Sequence, residues 1–198
     1  MTSHSSGSLP LFCATLQGVF GADHLLFFKH SQEYTKLYCH RWSSHRCDFV
    51  DAGGIRCMLP MLHSNDDALV NSAANTLNNA CQDSRSNAEI RRMGGIPLTL
   101  SLLRSSSDND QEPSTSFRCL CAACSLLATL ASDDESASLI CKHNGVYLLG
   151  RLLILSEETF PNTDVPLHQL RCQALRAMRI LFSLERNRKV CSLALLMF

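Results

Sequence analysis

A pattern that returns along a chain restricts its fold more than any composition does. A unit too short to bury its own apolar face must stack on copies of itself. Here Phe49-Val50-Asp51-Ala52-Gly53-Gly54-Ile55 returns 41 residues later as Ile90-Arg91-Arg92-Met93-Gly94-Gly95-Ile96. It returns once more, after a further 50 residues, as Ile140-Cys141-Lys142-His143-Asn144-Gly145-Val146. The additional residues fall in the polar run 105–116, which reads as a loop insertion in the second copy.

Each copy has the same three parts. A short helical stretch ends at Gly or Asn-Gly, residues that close a helix cheaply in the left-handed conformation. A second stretch follows with apolar residues at i, i+3, i+4 and i+7. These are Ile55, Met58, Leu59 and Leu62 in the first copy. The second supplies Ile96, Thr99, Leu100 and Leu103, and the third Val146, Leu149, Gly150 and Leu153. A loop then leads to a longer helix, which repeats as Ala73…Leu77, Ala123…Leu127 and Ala177…Leu181. No stretch alternates with period two for long enough to make a strand. The spacing predicts an all-α chain with three helices per copy.

The pattern resembles the armadillo repeat family. The likeness lies in the period, the Gly-Gly-Ile entry into the second helix, and the Ala then Leu spacing of the third. It covers residues 43–190, about three quarters of the chain, and the first copy, ending Leu77-Asn78-Asn79-Ala80, fits best. The resemblance implies a right-handed superhelix of stacked three-helix repeats whose third helices line a concave groove. The expected division is a poorly ordered tail at 1–23, a degenerate helix at 24–43, and repeats at 44–83, 84–132 and 133–186. Residues 187–198 read as the truncated start of a further repeat. Because Ala194-Leu195-Leu196-Met197-Phe198 stands where the next Gly-Gly should arrive, the chain looks like a fragment or truncated form of a longer array. That apolar end also offers a route to self-association, since a solenoid end without a polar cap exposes its stacking face.

The third helices carry the candidate site. In the first, Val70, Ala73, Ala74, Leu77, Ala80 and Cys81 form an inward stripe, and Asn71, Asn75, Asn78, Asn79 and Gln82 fall opposite. Asn is a poor helix former, costing roughly 0.5 kcal/mol each against Ala. The resemblance supplies a reason, because the family's groove carries Asn side chains that hold an extended peptide's backbone by paired donor and acceptor contacts. Asn79 matches that position, and Thr129 and Ser183 stand at its equivalents. The tryptophan position of the nuclear-import members holds Asn75, Ser125 and Arg179, which argues against an import receptor. A merely solvated face explains the Asn stripe equally well.

The third copy differs in charge. From 168 to 189 six basic side chains face one acidic, Glu185, in a chain whose 18 basic and 18 acidic residues cancel. Arg176 and Arg179 are three apart and share a helix face, so an acidic peptide is their natural ligand. Alternatively they pair with Asp133-Asp134-Glu135 or Glu157-Glu158. The cancelling charge, with no aromatics among the arginines, argues against nucleic acid.

Eleven cysteines, most of them single within apolar stretches (Cys57, Cys81, Cys141, Cys172 and Cys191), read as reduced core residues of an intracellular, cytoplasmic protein, with the nucleus as an alternative. The first eight residues lack the basic start of a secretory signal. No apolar run is long enough to span a membrane. Cys39, His40, His45 and Cys47 are too tightly spaced for a usual structural zinc site. Cys119, Cys121 and Cys124 fall in a helix that spreads them around its axis. Ser105 and Ser107 each have an acid three residues on, where an acid-directed kinase could act. None of the hydrolase, phosphate-loop, metalloprotease or dinucleotide motifs occurs. The reading is therefore a non-catalytic scaffold, without cofactor or metal, that binds a protein or extended peptide. Its contacts would be Asn71, Asn75, Asn79, Ser125, Thr129, Arg176, Arg179 and Ser183. The alternative is a structural segment that binds through its exposed solenoid ends.

Overall fold

The computed structural model describes residues 46–51, 53–104, 116–155 and 167–184. Among these the elements are α1 (Arg46–Asp51), α2 (Gly54–Met58), a 3-10 turn (Leu59–His63) and α3 (Asp67–Ala80). There follow α4 (Ser84–Arg92), α5 (Gly95–Arg104), α6 (Phe117–Leu130), α7 (Asp134–Lys142), α8 (Gly145–Leu153) and α9 (Leu167–Ser183). No strand occurs among the described residues.

The repeated motif builds the corner between the first and second helices of each triplet. Gly53 and Gly94 have φ of 75° and Asn144 has φ of 61°. Each donates its N–H back to the carbonyl three residues earlier: Gly53 to Val50 at 2.9 Å, Gly94 to Arg91 at 3.1 Å, Asn144 to Cys141 at 3.2 Å. The glycine that follows has a separate role. A Cβ on Gly54 would stand 2.3 Å from the Phe49 ring, and on Gly95 or Gly145 2.4 Å from Cγ2 of Ile90 or Ile140. The first residue thus reverses the chain, and the second lets the new helix lie directly on the old one.

The next helix starts are capped. Asp83 accepts from the Ser86 N–H at 3.2 Å, and Asp133, 50 residues on, from that of Ser136 at 2.9 Å. Asp66 accepts from Ala68 at 2.9 Å at the start of α3, and Ser116 from Cys119 at 3.4 Å at the start of α6. Each cap satisfies donors that have no partner within the helix.

Two expectations need correction. The second helix of the first copy is not one helix, because Pro60 lacks an N–H and its ring crowds the carbonyl four residues back. The chain tightens into the 3-10 turn there, yet Ile55, Met58, Leu59 and Leu62 all remain buried. In α8 Leu152 is buried and Leu153 only partly so, one residue away from the inward position read from the period.

The third helices α3, α6 and α9 lie side by side with α6 in the middle, α5 packs on α6, and α8 on α9. One apolar core runs through all three triplets, including Leu62, Leu77, Ile96, Leu127, Leu149 and Leu181. A polar joint crosses it between the second and third. The buried Asn87 amide donates to the Leu130 carbonyl at 3.2 Å, and its Oδ1 accepts from Ser136 Oγ at 2.7 Å. Arg91 donates to the same Ser136 oxygen at 3.1 Å and pairs with Asp133 and Glu135. The expected helix at 24–43, the insertion with Ser105 and Ser107, Glu157-Glu158 and the apolar end at 194–198 lie outside the described residues.

Candidate functional site

Laying the third helices on one another by Ala73, Ala123 and Ala177 gives three rows. They are Asn71–Cys121–Leu175, Asn75–Ser125–Arg179 and Asn79–Thr129–Ser183. The positions between them (Val70, Ala74 and Leu77, and their equivalents) are buried, whereas every row residue is half-buried or exposed. The three helices therefore share one unburied face, and all the expected contact residues except Arg176 stand in its rows. Exposed Arg176 is next to Leu175 on α9.

Within this face α3 is held by its own amides. Asn75 Nδ2 donates to the Asn71 carbonyl at 2.9 Å and to Asn71 Oδ1 at 3.2 Å. Thr129 Oγ1 donates across the helix boundary to Asn78 Oδ1 at 2.7 Å, and its distance to the Ser125 carbonyl is 3.2 Å. Asn78 and Thr129 therefore tie α3 to α6. Ser183 Oγ donates to the Ile180 carbonyl at 2.7 Å. Of the Asn stripe, Asn71, Asn75, Asn78 and Asn79 are half-buried and Gln82 is exposed, with Asn71, Asn75 and Asn78 bonded within the molecule.

Arg176 and Arg179 are exposed and make no ion pair among the described residues. Of the acids considered as their partners, Asp133 and Glu135 are engaged by Arg91 instead.

Sequence reasoning missed Cys121 and Leu175 in the first row of this face, and its reading of Cys172 as a core residue is corrected by the structure, which leaves that thiol exposed on α9. The signal for Cys121 and Leu175 is the register that already aligns Ala73, Ala123 and Ala177, carried one row back to Asn71. Leu175 is 52 % exposed. Burial pushes the Cys121 thiol up to about 11, so it stays protonated at neutral pH. Cys119 is also raised to about 11, chiefly by burial, and its Sγ donates to the Asp67 carbonyl at 3.1 Å. Burial raises Cys124 and Cys81 further. The three cysteines of α6 thus face different surroundings, and no cluster of three metal-ligating side chains forms among the described residues. The face offers amide, hydroxyl and guanidinium contacts with one apolar spot. No described helix is long and apolar enough to cross a membrane.

No family model matches the sequence. The chain is 27 % identical over 142 residues to the serine/threonine-protein kinase D1044.8 of Caenorhabditis elegans, covering 69 % of this chain and 14 % of that protein. It is 36 % identical over 67 residues to the serine/threonine-protein kinase Nek10 of Mus musculus, covering 34 % of this chain and 6 % of that one. The chain thus spans a small part of the curated relatives it matches. Among solved structures, an engineered protein superposes with a TM-score of 0.74 at 22 % identity, covering 94 % of this chain and 68 % of that one. A designed armadillo repeat protein in complex with the peptide (KR)4 does so with a TM-score of 0.74 at 14 % identity, covering 94 % and 70 %. Computationally designed armadillo repeat proteins for modular peptide recognition give 0.73 at 13 %. The fold of this chain is of the armadillo type.

Proposed function

We propose that this chain is a non-catalytic interaction module that takes an extended peptide or a partner protein along the shared face of α3, α6 and α9. The observation that carries the reading is the run of unburied polar residues through equivalent positions of all three helices. Asn75, Asn79, Ser125, Thr129, Arg179 and Ser183 belong to it, with Asn71 and Arg176 beside them. The likeness to designed armadillo proteins that recognise peptides supports it. Repetition at even spacing suits a repeating ligand, because an extended peptide also presents its backbone groups at a fixed interval.

The kinases that match do so over a small part of their length. We read this chain as corresponding to a helical-repeat part of such proteins, one that brings partners to them and does no chemistry itself. The buried Cys57, Cys81, Cys119 and Cys124, packed as core residues, support a reducing compartment, and we assign the cytoplasm. Replacing Asn79 and Arg179 by Ala should leave the helical circular dichroism spectrum unchanged and weaken capture of partners in an interactome pull-down. Equal capture by both proteins would overturn the assignment.

A further inference from the structure

We propose that the α9 end of this face binds an extended peptide segment in which Asp or Glu side chains flank a large apolar one. The carboxylates meet Arg176 and Arg179, and the apolar side chain rests on Leu175 beside Cys121. This rests on the reading of the face as a peptide-binding surface and adds to it the chemistry of the ligand.

Charge is the first argument. Helix α9 has arginines at 171, 176 and 179 and no acidic residue, in a chain whose formal net charge is zero. On the first-helix side of the molecule, arginines have carboxylate partners: Arg85 with Asp51 at 2.5 Å, Arg92 with Glu89 at 2.7 Å, Arg91 with Glu135 at 2.6 Å. Arg176 and Arg179 have none among the described residues, although they sit three apart on one helix, where like charges repel. Arg85, Arg91 and Arg92 are thus neutralised within the molecule, whereas among the described residues Arg179 on the face proposed to bind and Arg176 beside it are not. Carboxylates of an incoming chain complete the pairing.

The apolar spot is the second argument. Leu175 precedes Arg176 by one residue and Arg179 by one turn, and it stands in register with Asn71 and Cys121. Across the boundary on α6 the thiol of Cys121 is neutral, so no negative charge opposes the ligand there. An exposed Leu beside two arginines is a poor seat for a nucleic-acid backbone and a good one for an apolar side chain with acids next to it. Packed helices lie roughly 9 Å apart, about three residues of extended chain. The two steps from α3 to α9 take about six residues, so an octapeptide reaches from the Asn residues of α3 to the arginines of α9.

The test uses the full chain and three fluorescein-labelled octapeptides of the same backbone, with Glu-Leu-Glu, Gln-Leu-Gln or Lys-Leu-Lys at one end. At 50 mM salt the Glu peptide should bind about tenfold tighter than the Gln peptide, and the gap should shrink at 500 mM. The double change R176E/R179E should invert the ranking in favour of the Lys peptide. Leu175→Ser should weaken the Glu-Leu-Glu peptide several-fold and leave a Glu-Ser-Glu peptide unaffected. All three positions are exposed, so circular dichroism should match the parent chain. Charge-blind binding that Asn75→Ala still weakens would overturn this proposal and leave the peptide-binding reading standing. A single-stranded oligonucleotide that binds more tightly than the Glu peptide, and loses binding with R176E/R179E, would also overturn it. Failure of every peptide to bind would overturn the reading on which it rests.

Discussion

Gly94 and Gly95 are neighbours, yet the fold uses them for different reasons, and alanine at each should fail differently. At Gly94 the space for a Cβ is open and the cost is conformational, since φ is 75°. Gly94→Ala should lose about 1–2 kcal/mol, the penalty for an L-residue in that region. At Gly95 a Cβ would meet Ile90 Cγ2 at 2.4 Å, Leu59 Cδ2 at 2.8 Å and the Ile90 carbonyl oxygen at 3.0 Å. The carbonyl belongs to the backbone of α4 and cannot step aside as a side-chain tip can. Gly95→Ala should therefore lose about 1–3 kcal/mol by forcing α5 off α4. Urea midpoints measure both changes, and pairing each with Ile90→Ala, which removes Cγ2, separates the mechanisms. The smaller residue should relieve part of the cost at Gly95 and none at Gly94. The repeated Gly-Gly was plain in the sequence and gave the corner between helices. That the two glycines divide the work was not, because the second role depends on how closely two helices approach.

Among the elements, the helices that form for local reasons were the legible ones. The 3.6-residue apolar period of α3, α5 and α6 marks their buried faces without any knowledge of their partners. Pro60 shows where that reading stops. The apolar period continues through it, so the inward residues are right, while the missing N–H turns the helix into a 3-10 turn. The tie between α3 and α6 was not legible at all. Asn78 and Thr129 are 51 residues apart, one step off the 50-residue register that aligns the two helices, and only the packed pair brings Oγ1 to 2.7 Å from Oδ1. Thr129→Val keeps the shape and removes the donor, so it should lose about 0.5–1.5 kcal/mol. Asn78→Ala should cost a similar amount. The double change should cost less than the two singles together, because either one already breaks the bond. Additive losses in the thermodynamic cycle would mean that the hydrogen bond contributes nothing to the boundary, and that both side chains are free to turn toward a ligand.

Taken as a whole, the molecule is a row of units in which each one's stability includes its contact with the next. Apolar packing couples all three, but the boundary between the second and third also carries a buried polar joint centred on Asn87. Its amide caps the carbonyl of Leu130 at the end of α6, and its oxygen takes the Ser136 hydroxyl at the start of α7. One side chain thus binds the end of one unit to the beginning of the next, and Arg91 closes the same contact from its rim. Asn87→Ala leaves the Leu130 carbonyl without this donor and the Ser136 hydroxyl without its Asn87 Oδ1 acceptor inside a buried boundary. A loss of about 1–3 kcal/mol follows from the desolvation of groups left unpaired. Because the loss falls on a boundary and not within a unit, cooperativity should fall with it. The urea slope m should drop, and the buried Cys141 of the third unit should become open to alkylation at lower urea than the buried Cys81 of the first. A uniform shift of the midpoint with m unchanged, and both thiols opening together, would instead mean that apolar packing alone keeps the units folding as one. In that case the open face of α3, α6 and α9 would hold its shape without the joint. If the units separate as expected, Asn87 is what keeps the amide end and the arginine end of that face in fixed register for a single ligand.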